Sequence, residues 1–115
     1  MRAAEALAAL SALASEVRLA LVRRLVAAGE EGLAAGAIAR ELGLSPSRLS
    51  FHLAELERAG LVRARRASRN VIYAADHDGI GRVIGYLLND CCAAHPRVSA
   101  CCRLHAAHED TTAGH

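Results

Sequence analysis

Leucine, isoleucine and valine recur along most of the chain at helical spacing, and the pattern breaks at glycines. The reading is sharpest from Leu44 to Val62. Leu49, Leu53 and Leu56 fall at i, i+4 and i+7, which makes one buried stripe. Ser45 suits an N-cap, Pro46 the first helical position, and Gly60 a left-handed C-terminal position. The opposite face carries Ser47, Arg48, Ser50, Phe51, His52 and Glu55. These are short hydrogen-bonding side chains with one guanidinium and one imidazole, crowded at the helix N-terminus. Such a face serves a recognition helix reading base edges and phosphates. Taken alone, it serves an ordinary amphipathic surface helix equally well.

The neighbouring segments break that tie. Upstream, Arg2 to Leu13 predicts a first helix with Leu7, Leu10 and Leu13 as its apolar positions. Ser15 caps a second helix, with Val17, Leu21, Val22, Leu25 and Ala28 inward and Arg18, Arg23 and Arg24 outside. Gly29 ends it, and Glu30-Glu31-Gly32 reads as a loop. Ala35 to Leu42 predicts a short third helix with Ile38 and Leu42 inward, closed by Gly43. Two helices joined by the brief break before Pro46 form a helix-turn-helix. After Gly60 the period changes to two. Leu61 to Arg66 and Val71 to Ala74, around Ala67-Ser68-Arg69-Asn70, predict a β-hairpin. A hairpin directly after a recognition helix is a wing. A last helix begins at Asp76 or Asp78, with Ile80, Val83, Ile84, Leu87, Leu88 and Cys91 as a long apolar stripe. The fold class is therefore mainly α with a small β-hairpin, a winged helix-turn-helix. We expect residues 1–105 to form one domain and residues 106–115 a flexible tail.

Composition adds little to the pattern, and charge adds more. Much of the 53% apolar content is alanine, and aromatics are 3%, which favours helix over a β-sandwich. The net charge is +2, so the chain is no polycation. Arg63, Arg65, Arg66 and Arg69 nevertheless crowd the hairpin with no acid between Leu61 and Ala75. A local basic patch beside a recognition helix is the footprint expected for nucleic acid. No signal-peptide pattern or membrane-length apolar run stands out, which predicts a cytoplasmic protein with no membrane partner and with reduced cysteines. No nucleophile–base pairing, phosphate loop or paired acids stands out, so we expect no enzyme and no catalytic cofactor.

Three stretches together resemble the arsenical-repressor (ArsR/SmtB) family of bacterial winged-helix transcription factors. Ala12 to Leu25 is similar to the family's ALAxxxRLxILxLL opening, Leu42 to Val62 to its LGLSxxxxSxHLxxLxxAGLV helix-turn-helix, and Arg65 to Ala74 to its RxGRxxxYxL wing. The resemblance implies a homodimer, paired through the first and last helices, that binds a palindromic double-stranded operator as a repressor. It implies DNA-facing residues at Ser45, Ser47, Arg48, Ser50 and His52, with Arg65, Arg66 and Arg69 in the wing.

The family senses at several places, and two of its patterns are missing here. The third-helix region, Gly32 to Arg40, has no cysteine. Asp76, His77 and Asp78 open the last helix without matching histidines at its far end. In their stead stand two vicinal pairs, Cys91-Cys92 and Cys101-Cys102, either side of a loop containing Pro96. Soft thiolates select thiophilic ions. Trivalent arsenic or antimony forms three bonds, so three thiolates complete a site. The arrangement resembles a subgroup of arsenic repressors with cysteines at the end of the last helix. The expected inducer is arsenite or antimony held by Cys91, Cys92 and either Cys101 or Cys102. Cadmium, lead or mercury, a redox or persulfide switch, a structural zinc site and inert packing are the alternatives. His95, His105 and His108 are possible further ligands, read first as solvated loop residues.

Overall fold

A computed structural model describes residues 1–101. Cys102 and the expected tail, with His105 and His108, lie outside the described residues. The chain divides into two compact units, Met1–Val83 and a second beginning at Ile84.

The first unit carries α1 (Ala3–Leu13), α2 (Glu16–Ala28), β1 (Leu33–Ala34), α3 (Ala35–Leu42), α4 (Pro46–Arg58), β2 (Val62–Ala67), β3 (Asn70–Ala75) and most of α5 (His77–Gly85). Its core is Leu21, Leu25, Ile38, Leu53, Leu56, Leu61 and Val62, all fully buried. Burying one such side chain stabilises the fold by about 1.5–3 kcal/mol. The expected stripe on α4 is inward as a set: Leu49, Leu53 and Leu56 are buried.

The helix ends follow the residues read as caps. Ser45 Oγ accepts from the Arg48 N–H at 3.3 Å and Ser15 Oγ from the Arg18 N–H at 3.3 Å. Gly43 closes α3 in the left-handed region at φ 64°, and the Leu44 N–H donates to the Ala39 carbonyl at 3.0 Å. This compact stop lets α4 start at once. At the far end of α4, Gly60 turns at φ 79°. The Asp76 N–H then donates to the Leu61 carbonyl at 2.9 Å, and Asp76 Oδ1 accepts from the Gly79 N–H at 3.0 Å, capping α5. Gly79 lies so close that a Cβ there would overlap the Gly60 carbonyl oxygen. The start of α5 is thereby seated on the end of α4.

The sheet has three antiparallel strands in the order β1-β3-β2. The hairpin is the expected wing, with Ala67 paired to Asn70 across a two-residue turn. β1 was not expected. Gly32 makes it possible, since at φ +70° any side chain would collide with the Tyr73 carbonyl of β3.

Three expectations are corrected. On α1 the buried face is Ala6, Ala9 and Ala12, while Leu7 is 67% exposed and Leu10 also faces out. Small side chains let α1 pack closely on α2 and α4. Arg18, expected outside, is half-buried and turned back into the unit. The last helix does not keep one period. After Gly85 it becomes a π-helical turn, Tyr86–Cys91, with the Cys92 N–H reaching the Leu87 carbonyl at 3.1 Å. Wider i→i+5 bonding rotates later side chains off an α-helical stripe. Ile84 is 53% exposed, and no residue of the turn is buried.

Candidate nucleic-acid interface and sensor cysteines

The N-terminus of α4 presents Ser47, Arg48, Ser50 and Phe51, all exposed. Free N–H groups and the positive end of the helix dipole favour phosphate at such a terminus. Ser45 is also exposed, but its hydroxyl already serves as the cap; it lies 3.5 Å from Ser47 Oγ. Farther along, Glu55 pairs with Arg58 at 3.0 Å; among the described residues no ion pair includes Arg48.

His52 differs from its neighbours. It is half-buried, and its Nδ1 lies 3.1 Å from a terminal nitrogen of Arg18. The Phe51 ring stands edge-on to it, with centroids 5.4 Å apart. Partial burial first, then the nearby Arg18 and Arg48 charges, hold the imidazole below its usual pKa range. Arg18 is the neighbour of His52 that sequence reading missed. It lies 34 positions away from His52, and no local pattern links the two.

The wing arginines divide by strand register. Arg63 and Arg65 pair with Ala74 and Ile72 on one sheet face; Ala64 and Arg66 pair with Tyr73 and Val71 on the other. Tyr73 borders a hollow that Pro46, Ser50 and Leu53 of α4 also line. Arg66 therefore shares the face turned to the recognition helix. Arg65 lies on the reverse face and donates to the Glu31 carbonyl at 3.0 Å. Arg69 sits in the turn at the hairpin tip, after Ser68 at φ 58°.

The second unit holds the expected sensor residues. Cys91 ends the π-helical turn and is exposed; Cys92 follows, half-buried. The neighbouring Cys91 thiol, and burial after it, push the Cys92 thiol up. Ala93 and Ala94 both take left-handed backbone at φ 51° and 53°, a conformation that costs residues other than glycine energy. His95 Nδ1 accepts from the Arg97 N–H at 3.1 Å, and its carbonyl accepts from Val98 and Ser99. It thereby starts a short helix over 96–101 that carries exposed Cys101. Cys91 and Cys92 are brought together. Among the described residues, no group of three or more Cys, His, Asp or Glu side chains is gathered.

Comparison with known proteins agrees with this geometry. Residues 13–65 match a helix-turn-helix domain model. The nodulation protein NolR of Rhizobium meliloti is 38% identical over 78 residues, covering 68% of this chain and 62% of NolR. The transcriptional activator HlyU of Vibrio cholerae is 35% identical over 92 residues, covering 80% of this chain and 82% of HlyU. The structure of reduced HlyU superposes with a TM-score of 0.59 at 33% identity, over 73% of this chain and 86% of that one. An ArsR-like regulator from Rhodococcus superposes with a TM-score of 0.69 at 24% identity, over 88% and 92%. The chain belongs to the ArsR/SmtB family.

A further ArsR-type neighbour, from Mycobacterium bovis, is a homodimeric winged helix-turn-helix DNA-binding domain. It aligns with a TM-score of 0.62 at 24% identity, over 90% of this chain and 83% of that one. The ArsR/SmtB winged helix-turn-helix is thus shown by fold and sequence together. Among the described residues, no helix is long and apolar enough to cross a membrane.

Proposed function

We propose that this ArsR/SmtB protein is a homodimeric, non-enzymatic repressor of palindromic operators, released when trivalent arsenic or antimony binds its C-terminal cysteines. DNA contact comes from the α4 face, Arg66 and Arg69. The apolar residues left exposed on α1, Leu7 and Leu10, supply part of the surface a second copy would cover.

The observation that carries the sensor reading is the vicinal Cys91–Cys92 pair at the end of the helical segment, one thiol exposed and the other half-buried. Adjacent soft donors fit a thiophilic ion, and a third thiol from Cys101 or Cys102 would complete a three-bond site. Ligation would join the helix end to the segment beyond Pro96. It acts on DNA affinity only to the extent that the ligand binds one state better than the other.

The test is binding stoichiometry with thiol titration. Wild type should take up one arsenite per chain with loss of three free thiols, and Cys91→Ser should lose tight uptake. A second reading is a peroxide- or persulfide-responsive pair. The observation in its favour is that Cys91 and Cys92 are adjacent free thiols and, among the described residues, no group of three Cys, His, Asp or Glu side chains is gathered. Loss of two thiols to peroxide, which is reduced to water, or to a small-molecule persulfide, which is reduced to its thiol and sulfide, with no arsenite uptake, would support it in place of the metalloid.

A further inference from the structure

Arg18 joins three helices. It lies in the first turn of α2. Its Nε donates to the Ala12 carbonyl near the end of α1 at 2.7 Å, and a terminal nitrogen meets His52 Nδ1 on α4 at 3.1 Å. A guanidinium has donors only. His52 Nδ1 must therefore accept, and a ring that accepts there carries its hydrogen on Nε2. Among the described residues, His52 Nε2 has no partner, and no side-chain nitrogen is both buried and unpartnered. Nε2 is thus open to solvent, with the exposed side chain of Arg48 one turn before it on the same helix.

We propose that Arg18 is a positioning residue for DNA recognition: it fixes the orientation and tautomer of His52, so that the middle of the recognition helix offers an Nε2–H donor to an acceptor on DNA. The acceptor is a purine N7, a guanine O6 or a phosphate oxygen. A positively charged imidazole would lose the Arg18 bond and face that guanidinium as a like charge. The arrangement therefore selects a neutral, directional donor over a second cation. The proposal rests on the DNA-binding reading above.

The test takes wild type, Arg18→Gln, His52→Gln and the double variant to duplexes selected by the wild type from a randomised library. Glutamine sets an amide donor near the place of Nε2 without needing a guanidinium partner. Arg18→Gln should weaken the selected site about tenfold, the worth of one directed hydrogen bond. In the His52→Gln background the same change should cost less than about threefold. Loss at one base pair identifies a base edge; equal loss on all sequences identifies a phosphate. Nitrogen-15 NMR should find His52 as Nε2–H in wild type and as mixed tautomers in Arg18→Gln, a readout that a merely structural role would not move. Equal losses in both backgrounds overturn the proposal. So does an Nδ1–H ring in wild type, which decides the matter even if Arg18→Gln does not fold. If wild type selects no sequence, the DNA-binding reading fails and the proposal with it, whatever the tautomer.

Discussion

Met1–Val83 and the segment from Ile84 are built on different terms. In the first, each turn is bound by a cap, a left-handed glycine or a strand pair, around fully buried leucines. In the second, the π-helical turn buries no residue, two alanines take left-handed backbone, and Cys91 and Cys101 are exposed with Cys92 half-buried. The first is a well-buried, capped frame for presenting side chains. The second has the low burial expected of an element whose state can be changed. On the proposed function, recognition and response would sit in parts of unequal burial.

Glycines give the sharpest way to break that contrast. Gly79→Ala forces a Cβ into the Gly60 carbonyl and should cost about 3 kcal/mol or more, read as a large fall in Tm. Gly85→Ala meets nothing within 4 Å at a helical backbone and should be neutral or stabilising by up to ~1 kcal/mol. Similar losses from both would erase the distinction between the units. Next, Arg66→Ala should weaken operator binding several-fold more than Arg65→Ala, because Arg65 lies on the reverse sheet face and is held by the Glu31 carbonyl. Equal losses in titrations at fixed salt would contradict the register argument.

Smaller again, Ser45→Ala removes the α4 cap and should cost about 1 kcal/mol in denaturant unfolding. The smallest effect is on pH. The folded-state pKa of His52 lies below its ordinary 6.5, so the unfolded chain takes the proton first. The stability linked to this group is complete above about pH 6.5 and is lost as pH falls from there toward the depressed value. His52→Gln should flatten that part of the stability–pH curve.

Much of the frame was legible because its signals are local. Ser45, Pro46, Gly43 and Gly60 bound α4 and the turn before it within a few residues of each other. The bounds of α3, Ala35–Leu42, match the expectation. Where competing signals share a period, periodicity alone fails. Ala6, Ala9 and Ala12 repeat like Leu7, Leu10 and Leu13 one position later, and only the close approach of α1 to α2 and α4 chooses the alanines. β1 is two residues long, too short for alternation to show, and is defined by its partner on β3. The π-helical turn keeps helical composition while changing the bonding. In the candidate interface, the exposed polar face of α4 was read directly. The Arg18–His52 contact and the division of Arg65 from Arg66 come from tertiary placement and register. The cysteine pair was visible as a pair because its members are adjacent in the chain.

The most direct measurement of the central claim is fluorescence anisotropy of a selected operator duplex, with and without arsenite, for wild type and Cys91→Ser. The account predicts that arsenite lowers wild-type affinity about 5- to 150-fold, the usual range of allosteric coupling, and leaves Cys91→Ser bound. Wild type that stays bound in arsenite, or Cys91→Ser that is released as readily, would contradict it.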